Sequence, residues 1–223
     1  MNKKIISLVS LLVFFSLSSF AAESRILMVV ADNLSRDWIS AYGSVNKTPA
    51  IDQLAANGLR FNTVWQTSTD KKNAEKNFLT GSYKASGVAF PALLKKAGYK
   101  TYYLGSASSA TLLNNAATIK QVGYQYYSIN SGRVQNVKLK ASLAESVIGI
   151  MKNKQKSFVC VRFSSNQAKT KEDQVKHVAR VDKFIADIGV LTKASAPVTI
   201  ILTSIIGTTL HSKMNSMSNG KVK

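Results

Sequence analysis

The residues best suited to chemistry follow the first apolar run of the chain. Residues 25–31 are almost continuously apolar and are followed at once by Asp32 and Asn33. A strand that ends in a carboxylate and an amide can offer oxygen ligands to a divalent cation. Calcium takes about six to eight oxygen ligands and gains affinity from carboxylate charge. With one carboxylate, the favoured interpretation is that Asp32 ends the strand and caps the next turn.

A second group of candidates surrounds a predicted helix start at Lys71. Lys71 and Lys72 are most simply the solvated first turn of that helix. Ser68 and Thr69 precede them, and the backbone N–H groups of a helix start favour an anion. Without a metal or a general base, either hydroxyl stays protonated and weakly nucleophilic. A nucleophilic hydroxyl is therefore the less favoured alternative.

Alternating strands and helices would position these candidates. Apolar runs of strand length alternate with segments of helical period, which predicts an α/β fold with a mainly parallel central sheet sandwiched by helices. The predicted strands are residues 25–31, 59–65, 100–104, 157–163 and 198–206. The predicted helices are residues 49–57, 88–97, 137–151 and 171–191. In the last helix, apolar side chains at a spacing of three and four predict one buried face: Val175, Val178, Val181, Phe184, Ile185 and Ile188.

The amino terminus has the pattern of an export signal. Two lysines precede an apolar run over residues 5–17, and small residues follow, so residues 1–22 are predicted to be a signal peptide. Residues 23–211 are the predicted domain, and residues 212–223 a flexible basic tail. The apolar run is shorter than the roughly 20 residues of a membrane span. We expect a periplasmic or secreted protein with no membrane span after cleavage, in which the single Cys160 is a buried thiol.

Composition indicates one globular domain with an unusual charge. Hydrophobic residues make up 45% and charged residues 18% of the 223 residues, as is usual for globular proteins. The formal net charge is +19, from 30 Lys and Arg against 11 Asp and Glu, which predicts attraction to anionic polymers. Sulfated or other anionic polysaccharide is the expected partner, and a lysine-rich surface with no specific partner is the alternative. No nucleic-acid partner is expected, because the chain carries an export signal and no nucleic-acid-binding motif.

Seven segments, taken in order, resemble the sulfatase family of the alkaline phosphatase superfamily. In this chain they read RILMVVADN (25–33), TPAIDQLAANGLRF (48–61), FLTGSY (78–83), LLKKAGYKTYYLG (93–105), SFVCVRFSSNQ (157–167), HVARVDKFIADIG (177–189) and VTIILTSIIG (198–207). The resemblance implies the amino-terminal domain of an alkaline phosphatase/sulfatase-like fold. It also implies that the smaller C-terminal subdomain usual in the family is lacking, and that the family activity is sulfuric-ester hydrolysis.

The same resemblance implies a site that has lost most of its chemistry. Family members use a divalent cation, usually calcium, and a Cys or Ser oxidised to formylglycine. The family spacing places Lys71 at the formylglycine position and Glu75 at the position of a sulfate-handling Arg. Lysine cannot become an aldehyde hydrate. The two metal-binding pairs of the family read, in this chain, Asp32 with Asn33 and Ile205 with Ile206.

The remaining family residues are also replaced. The Lys-x-His that contacts sulfate reads Ser106 and Ser108, and a later His reads Gln167. The two histidines of the chain, His177 and His211, match no general acid position, so we interpret both as surface or structural residues. No cofactor is expected, and calcium would be the cation only if the family site were retained.

These substitutions lead to one expectation and two alternatives. We expect an exported sulfatase-like protein without catalytic activity, because nucleophile, metal ligands and proton donor act as a unit. One alternative is an active sulfuric-ester hydrolase of the arylsulfatase kind. The other is a truncated remnant that yields no stable product.

Overall fold

The computed structural model describes residues 24–84, 86–107, 111–153, 155–165, 170–193 and 198–205. Within these residues one sheet contains β1 (Arg25–Ala31), β2 (Lys100–Gly105), β3 (Tyr126–Ile129), β4 (Val134–Gln135), β5 (Ser157–Phe163) and β6 (Val198–Thr203). The strand order is β4-β3-β2-β5-β1-β6, and only the pair of β3 and β4 is antiparallel. The predicted α/β fold with a mainly parallel sheet is confirmed.

Helices connect and cover these strands. They are α1 (Pro49–Ala56), α2 (Lys71–Thr80), α3 (Phe90–Lys96), α4 (Ala116–Gln121), α5 (Leu143–Lys152) and α6 (Lys171–Asp187). Four of them begin after a side chain that accepts a hydrogen bond from the first turn: Asp70, Asn115, Ser142 and Thr170. Such caps pair N–H groups that a helix leaves without an internal partner. No helix in the described ranges is long and apolar enough to cross a membrane.

Each face of the sheet has its own core. One core joins Val159 and Val161 of β5 to side chains of α1, α5 and α6. The other joins Phe158 and Cys160 to side chains of α2, α3 and α4. Successive side chains of a strand point to opposite faces. Because a core covers each face of β5, all seven of its residues are buried. Burial on both faces explains why this strand is apolar almost throughout.

Cys160 lies inside the second of these cores. Its side chain is a free thiol and is 3% exposed. Burial raises the pKa of this thiol to about 12, against a hydrogen bond with Tyr124 and the charge of Arg162. A thiol that holds its proton so firmly is a packing residue, as expected from the sequence.

One predicted element is wrong in kind and several are wrong in extent; the strand predicted over residues 198–206, for example, is Val198–Thr203. Residues 59–65 form no strand, and Leu59, Phe61 and Trp65 are exposed. A strand needs a neighbour to pair its backbone, and within the described residues none pairs with this segment. The helix predicted from residue 137 begins only at Leu143, where the Ser142 side chain caps it.

The predicted buried face of α6 needs one correction. Val175 is 37% exposed, whereas the five other predicted side chains are buried. In this part of α6 the buried stripe runs through Gln174, His177 and Val178. Val175 stands one residue past Gln174, about 100° around the helix from it, because the helix has about 3.6 residues per turn.

Candidate functional site

The parallel strands bring their carboxyl ends to one margin of the sheet, where ligands bind in open α/β folds. Asp32 follows β1, and its N–H donates to the carbonyl of Phe163 at 2.9 Å. Ser106 follows β2, and its N–H donates to the carbonyl of Arg162 at 2.9 Å. Gly105 permits this approach: its φ is +113°, and a Cβ there would lie 2.2 Å from the Arg162 carbonyl oxygen. The margin is therefore closely packed.

The guanidinium of Arg162 lies at the centre of this margin. Arg162 belongs to β5 and is 1% exposed. Its Nη2 donates to Oδ1 and Oδ2 of Asp32 at 3.0 and 3.3 Å. Its Nη1 donates to Oε1 of Glu75, and both carboxylates are buried. Asp32, Arg162 and Glu75 form a buried ion triad, which we call the Arg162 triad.

Helix α2 carries Glu75 into the triad. Its Ala74 and Leu79 pack into the core on the same face of the sheet as Cys160. Leu79 lies four residues after Glu75 and therefore on the same face of the helix, so this packing also turns Glu75 inward. The second carboxylate oxygen of Glu75, Oε2, accepts the backbone N–H of Leu112 at 2.6 Å. Each oxygen of this carboxylate therefore has a donor, as a buried charge requires.

Burial and mutual attraction oppose each other in the triad. Desolvation raises the pKa of the Asp32 carboxyl, while Arg162 and then Lys71 pull it down. Desolvation also raises the pKa of Glu75, while the charge of Arg162 and the hydrogen bond from the Leu112 N–H lower it in part. For Arg162, burial favours the neutral form, but Tyr103, Asp32 and Glu75 outweigh it and raise the guanidinium pKa. The guanidinium stays charged and is shared by two carboxylates.

Lys71 is the first residue of α2, at the position that the family resemblance gives to the nucleophile. Its ammonium lies near enough to Asp32 to lower the pKa of that carboxyl. Asp70 caps the helix by accepting the N–H of Asn73 at 2.8 Å. Just upstream, the Ser68 hydroxyl accepts the N–H of Asp70 at 3.2 Å, and Thr69 is exposed. Lys71 thus adds a second positive charge beside the triad.

Asn33 and Ser106 form hydrogen bonds that hold neighbouring loops together. Asn33 has a φ of +59°, a left-handed conformation that Asn tolerates better than most residues. Its amide donates to the hydroxyl of Ser165 at 2.5 Å, and its carbonyl accepts Nε2 of Gln174 at 2.7 Å. The Ser106 hydroxyl accepts the N–H of Ser164 at 2.8 Å. These contacts fasten the segments that follow β1, β2 and β5.

The other candidates are placed as follows. Ile205 is buried in the same core as Cys160 and offers no donor atom. Four more candidates lie outside the described residues: Ser108, Gln167, Ile206 and His211. Sequence reasoning missed Arg162. The signal was available, because an arginine within a strand that is otherwise almost wholly apolar is rarely buried unless it is paired.

His177 lies on α6 and is 3% exposed. Its Nδ1 is 2.9 Å from Nη2 of Arg180. Burial, helped by the charge of Arg180, lowers its pKa to about 4, and a main-chain contact with Asp32 opposes this only in part. A buried, neutral imidazole bound to an arginine agrees with the structural interpretation of this residue.

The residues at this margin do not fit the divalent cation that the family resemblance implies. Arg162 places a positive charge on both oxygens of Asp32, Asn33 offers at most one neutral amide oxygen, and Ile205 has no ligand atom. Across the described ranges, no three Asp, Glu, His or Cys side chains gather in a way suited to a metal. Calcium would need about six to eight oxygens.

The sequence comparison decides the family. A profile described as Sulfatase matches residues 24–168. The chain belongs to the sulfatase family. Its family segment contains all three residues of the Arg162 triad, together with Lys71. A search of curated proteins finds no significant match to the chain.

Solved structures share the sulfatase fold of this chain. A Vibrio parahaemolyticus protein of the alkaline phosphatase superfamily has a TM-score of 0.60 and 16% identity, covering 83% of this chain and 55% of its own. A Bacteroides thetaiotaomicron protein of glycosaminoglycan metabolism has a TM-score of 0.64 and 15% identity, covering 87% and 63%. The protein Ps i-CgsB, in complex with a neocarrahexaose, has a TM-score of 0.63 and 15% identity, covering 85% and 60%. This chain therefore spans 55–63% of the length of these proteins.

Proposed function

We propose that this protein is a sulfatase-family member without catalytic activity, in which the Arg162 guanidinium takes the place of a metal ion. The observation that carries the proposal is the pair of hydrogen bonds from Arg162 to Asp32, at 3.0 and 3.3 Å. A catalytic metal polarises a bound ester or lowers the pKa of a bound water through an open coordination position. A guanidinium held by two buried carboxylates neutralises their charge but has no open coordination position for an ester or a water.

The nucleophile position supports the same conclusion. Lys71 stands there, and a lysine side chain has no oxygen atom that could attack sulfur. Its ammonium instead adds to the positive charge around Asp32. Two hydroxyls lie just upstream: that of Ser68 accepts a local hydrogen bond from the Asp70 N–H, and Thr69 is exposed. An unactivated serine hydroxyl is a weak nucleophile.

A calcium titration followed by thermal unfolding tests this proposal. The wild-type melting temperature should not change at millimolar calcium, and an aryl sulfate should not be hydrolysed. Arg162→Met leaves Asp32 and Glu75 without their shared cation, so calcium should stabilise this variant. A gain of about 1 kcal/mol would raise its melting temperature by roughly 2–4 °C.

Two results would contradict the proposal. One is aryl sulfate turnover by the wild-type protein that Asp32→Ala abolishes. The other is stabilisation of the wild-type protein by calcium. Arg162→Lys is the matched control, because it retains a positive charge between the carboxylates and should not respond to calcium. If Arg162→Met does not fold, these wild-type measurements still decide.

We also propose that the protein is exported and binds sulfated or other anionic polysaccharide. The support is the formal net charge of +19, the export pattern of residues 1–22, and the glycan chemistry of two structural neighbours. Exposed lysines follow Lys71 on α2, at Lys72 and Lys76. Attraction of this kind is screened by salt over about 10 Å at 0.1 M ionic strength.

Binding to heparin, compared with uncharged dextran, tests the polysaccharide proposal. The double variant Lys72→Glu with Lys76→Glu should bind heparin several-fold more weakly than wild type. Its control is Lys176→Glu with Lys183→Glu on α6, which changes the net charge equally from the other face of the sheet. Equal losses in both variants would leave only unspecific charge attraction, and equal binding of dextran would exclude recognition of anions.

A further inference from the structure

The margin of the sheet where the parallel strands begin, opposite the Arg162 triad, carries a group of lysines. Two helix-to-strand connections meet there: residues 96–100 join α3 to β2, and residues 152–156, of which the structure describes all but 154, join α5 to β5. Each connection begins and ends with an exposed lysine. The N–H of Lys100 donates to the carbonyl of Lys156 at 3.0 Å, so the two connections lie side by side. We call these four residues the lysine stripe: Lys96, Lys100, Lys152 and Lys156.

The lysine stripe crosses the sheet from one helical layer to the other. α3 packs on the core that contains Cys160, and α5 packs in the core on the opposite face. Between them, Lys100 and Lys156 stand at the starts of neighbouring strands, which lie about 4.8 Å apart. A connection of four residues spans at most roughly 14 Å. The four ammonium groups therefore follow one another along a continuous line.

No carboxylate of the described residues pairs with the stripe. Between Glu75 and Glu172 the only acidic residue of the chain is Glu145, which lies in the first turn of the helix that Lys152 ends, about 10 Å along its axis. The ion pairs in the described ranges involve Arg162 or two lysines of α6. Two stripe lysines end helices, whose carboxyl ends favour positive charge, but the other two begin strands. The stripe is therefore a local concentration of uncompensated positive charge.

Arg25 adds a further positive charge beside the stripe. It begins β1 in register with Ser157 of β5 and is 5% exposed. Its Nη1 donates to the carbonyl of Met151, the residue before Lys152. Its Nε and Nη2 have no hydrogen-bond partner, and no described carboxylate forms an ion pair with it. Because Arg25 stands at the margin of the sheet, an anion held by the stripe would supply the opposite charge that this guanidinium lacks.

The arrangement fits a linear polyanion better than a small ion. A single exposed ion pair contributes only about 0–1 kcal/mol, so a small anion at one or two of these lysines is held weakly. A polymer with repeated charges can contact all four lysines, and each contact after the first is intramolecular. Lipid surfaces are usually bound with inserted apolar side chains as well. Neither connection exposes a large apolar side chain in its described part.

We infer that the lysine stripe is a binding surface for a linear, sulfated polysaccharide, which runs across the strand starts from α3 to α5. The inference rests on the proposed export and polysaccharide binding. It adds a contact surface at the opposite margin of the sheet from Lys72 on α2.

Heparin is the probe, and its dissociation constant from the full chain at several salt concentrations is the measurement. In the stripe variant all four stripe lysines are replaced by glutamine. Heparin should bind this variant at least about tenfold more weakly than wild type, because four exposed ion pairs are lost. The slope of log affinity against log salt should also become shallower by about three, since each lost contact releases roughly 0.7–0.9 fewer counterions.

A matched variant removes the same charge elsewhere. Four exposed cations that follow β1 or lie in the first turns of α6 are replaced by glutamine: Arg36, Lys47, Lys171 and Lys176. Loss of affinity for heparin should stay below about twofold, as for exposed charges without a specific contact, and the salt slope should stay close to that of wild type. Melting curves of both variants check that they fold.

The outcomes separate this inference from the proposed function. If wild type does not bind heparin, the polysaccharide proposal fails and the stripe with it. If wild type binds, and the stripe variant either binds equally well or loses no more affinity than the matched variant, only the stripe is refuted. A heparin disaccharide that binds as tightly as the polymer would contradict the extended contact. Tighter, stripe-dependent binding to phosphatidylglycerol vesicles or single-stranded DNA would assign the stripe to a different partner and refute the inference.

Discussion

The Arg162 triad and the outer strand β6 both lie at the central sheet, but their polar groups find partners in different ways. In the triad, each buried charge has an opposite charge from another element of the chain. At β6, the backbone pairs with β1 on one side only within the described residues, and no side chain is fully buried. A buried unpaired charge costs several kcal/mol, whereas an exposed edge can be hydrated. The comparison teaches that charges buried inside the fold must be neutralised within the chain, whereas polar groups at an open margin can be satisfied by water.

The largest expected effect comes from breaking the triad. Arg162→Met leaves two buried carboxylates without a counter-charge, so the free energy of unfolding should fall by about 3–5 kcal/mol. Urea unfolding at neutral pH measures this loss.

A compensated variant sharpens the same prediction. Asp32→Leu, Glu75→Met and Arg162→Met together replace the triad with apolar groups of similar volume, and most of the lost stability should return. If Arg162→Met alone is as stable as wild type, the triad does not have the energetic role described above.

The next effect depends on pH and concerns His177. Its pKa is about 4 in the folded state against 6.5 as the ordinary value. Between these values the unfolded chain binds the proton and the folded chain does not, so stability should fall as pH drops from about 6.5 to 4. The total loss should be about 3 kcal/mol, at roughly 1.4 kcal/mol per pH unit.

His177→Gln serves as the comparison, because glutamine cannot take up the proton. Denaturant unfolding at several pH values should give a flatter curve for this variant. The raised pKa values of Asp32 and Glu75 act with the opposite sign, since they favour proton binding by the folded state. They are common to both proteins and cancel in the difference. Parallel curves for the two proteins would refute the assignment.

The smallest effect is expected in the open part of the molecule. Trp65 is 83% exposed in the segment over residues 59–65. Trp65→Ser should change the free energy of unfolding by no more than about 0.5 kcal/mol, as is usual for surface positions. Phe158→Ala in the core should cost about 3–5 kcal/mol. A large loss from Trp65→Ser would show that this segment is buried against another part of the protein in solution.

The sequence predicted the bounds of some elements correctly, and it predicted others wrongly because their formation depends on tertiary neighbours. Strands 25–31 and 157–163 agree with the structure, because continuous apolar runs require burial on both faces. Residues 59–65 have strand-like composition, but a strand also needs a neighbour, and composition does not supply one. α4, β3 and β4 were not predicted; all three are short, and only the tertiary structure shows them.

The sequence by itself determined the α/β class and the family, because these depend on residue types and on their order along the chain. Only the tertiary structure decided which charged side chains pair with each other. Arg162 is separated from Asp32 by 130 positions and from Glu75 by 87. A buried charge is neutralised by whichever opposite charge the fold brings within hydrogen-bonding distance, and no spacing along the chain records that proximity.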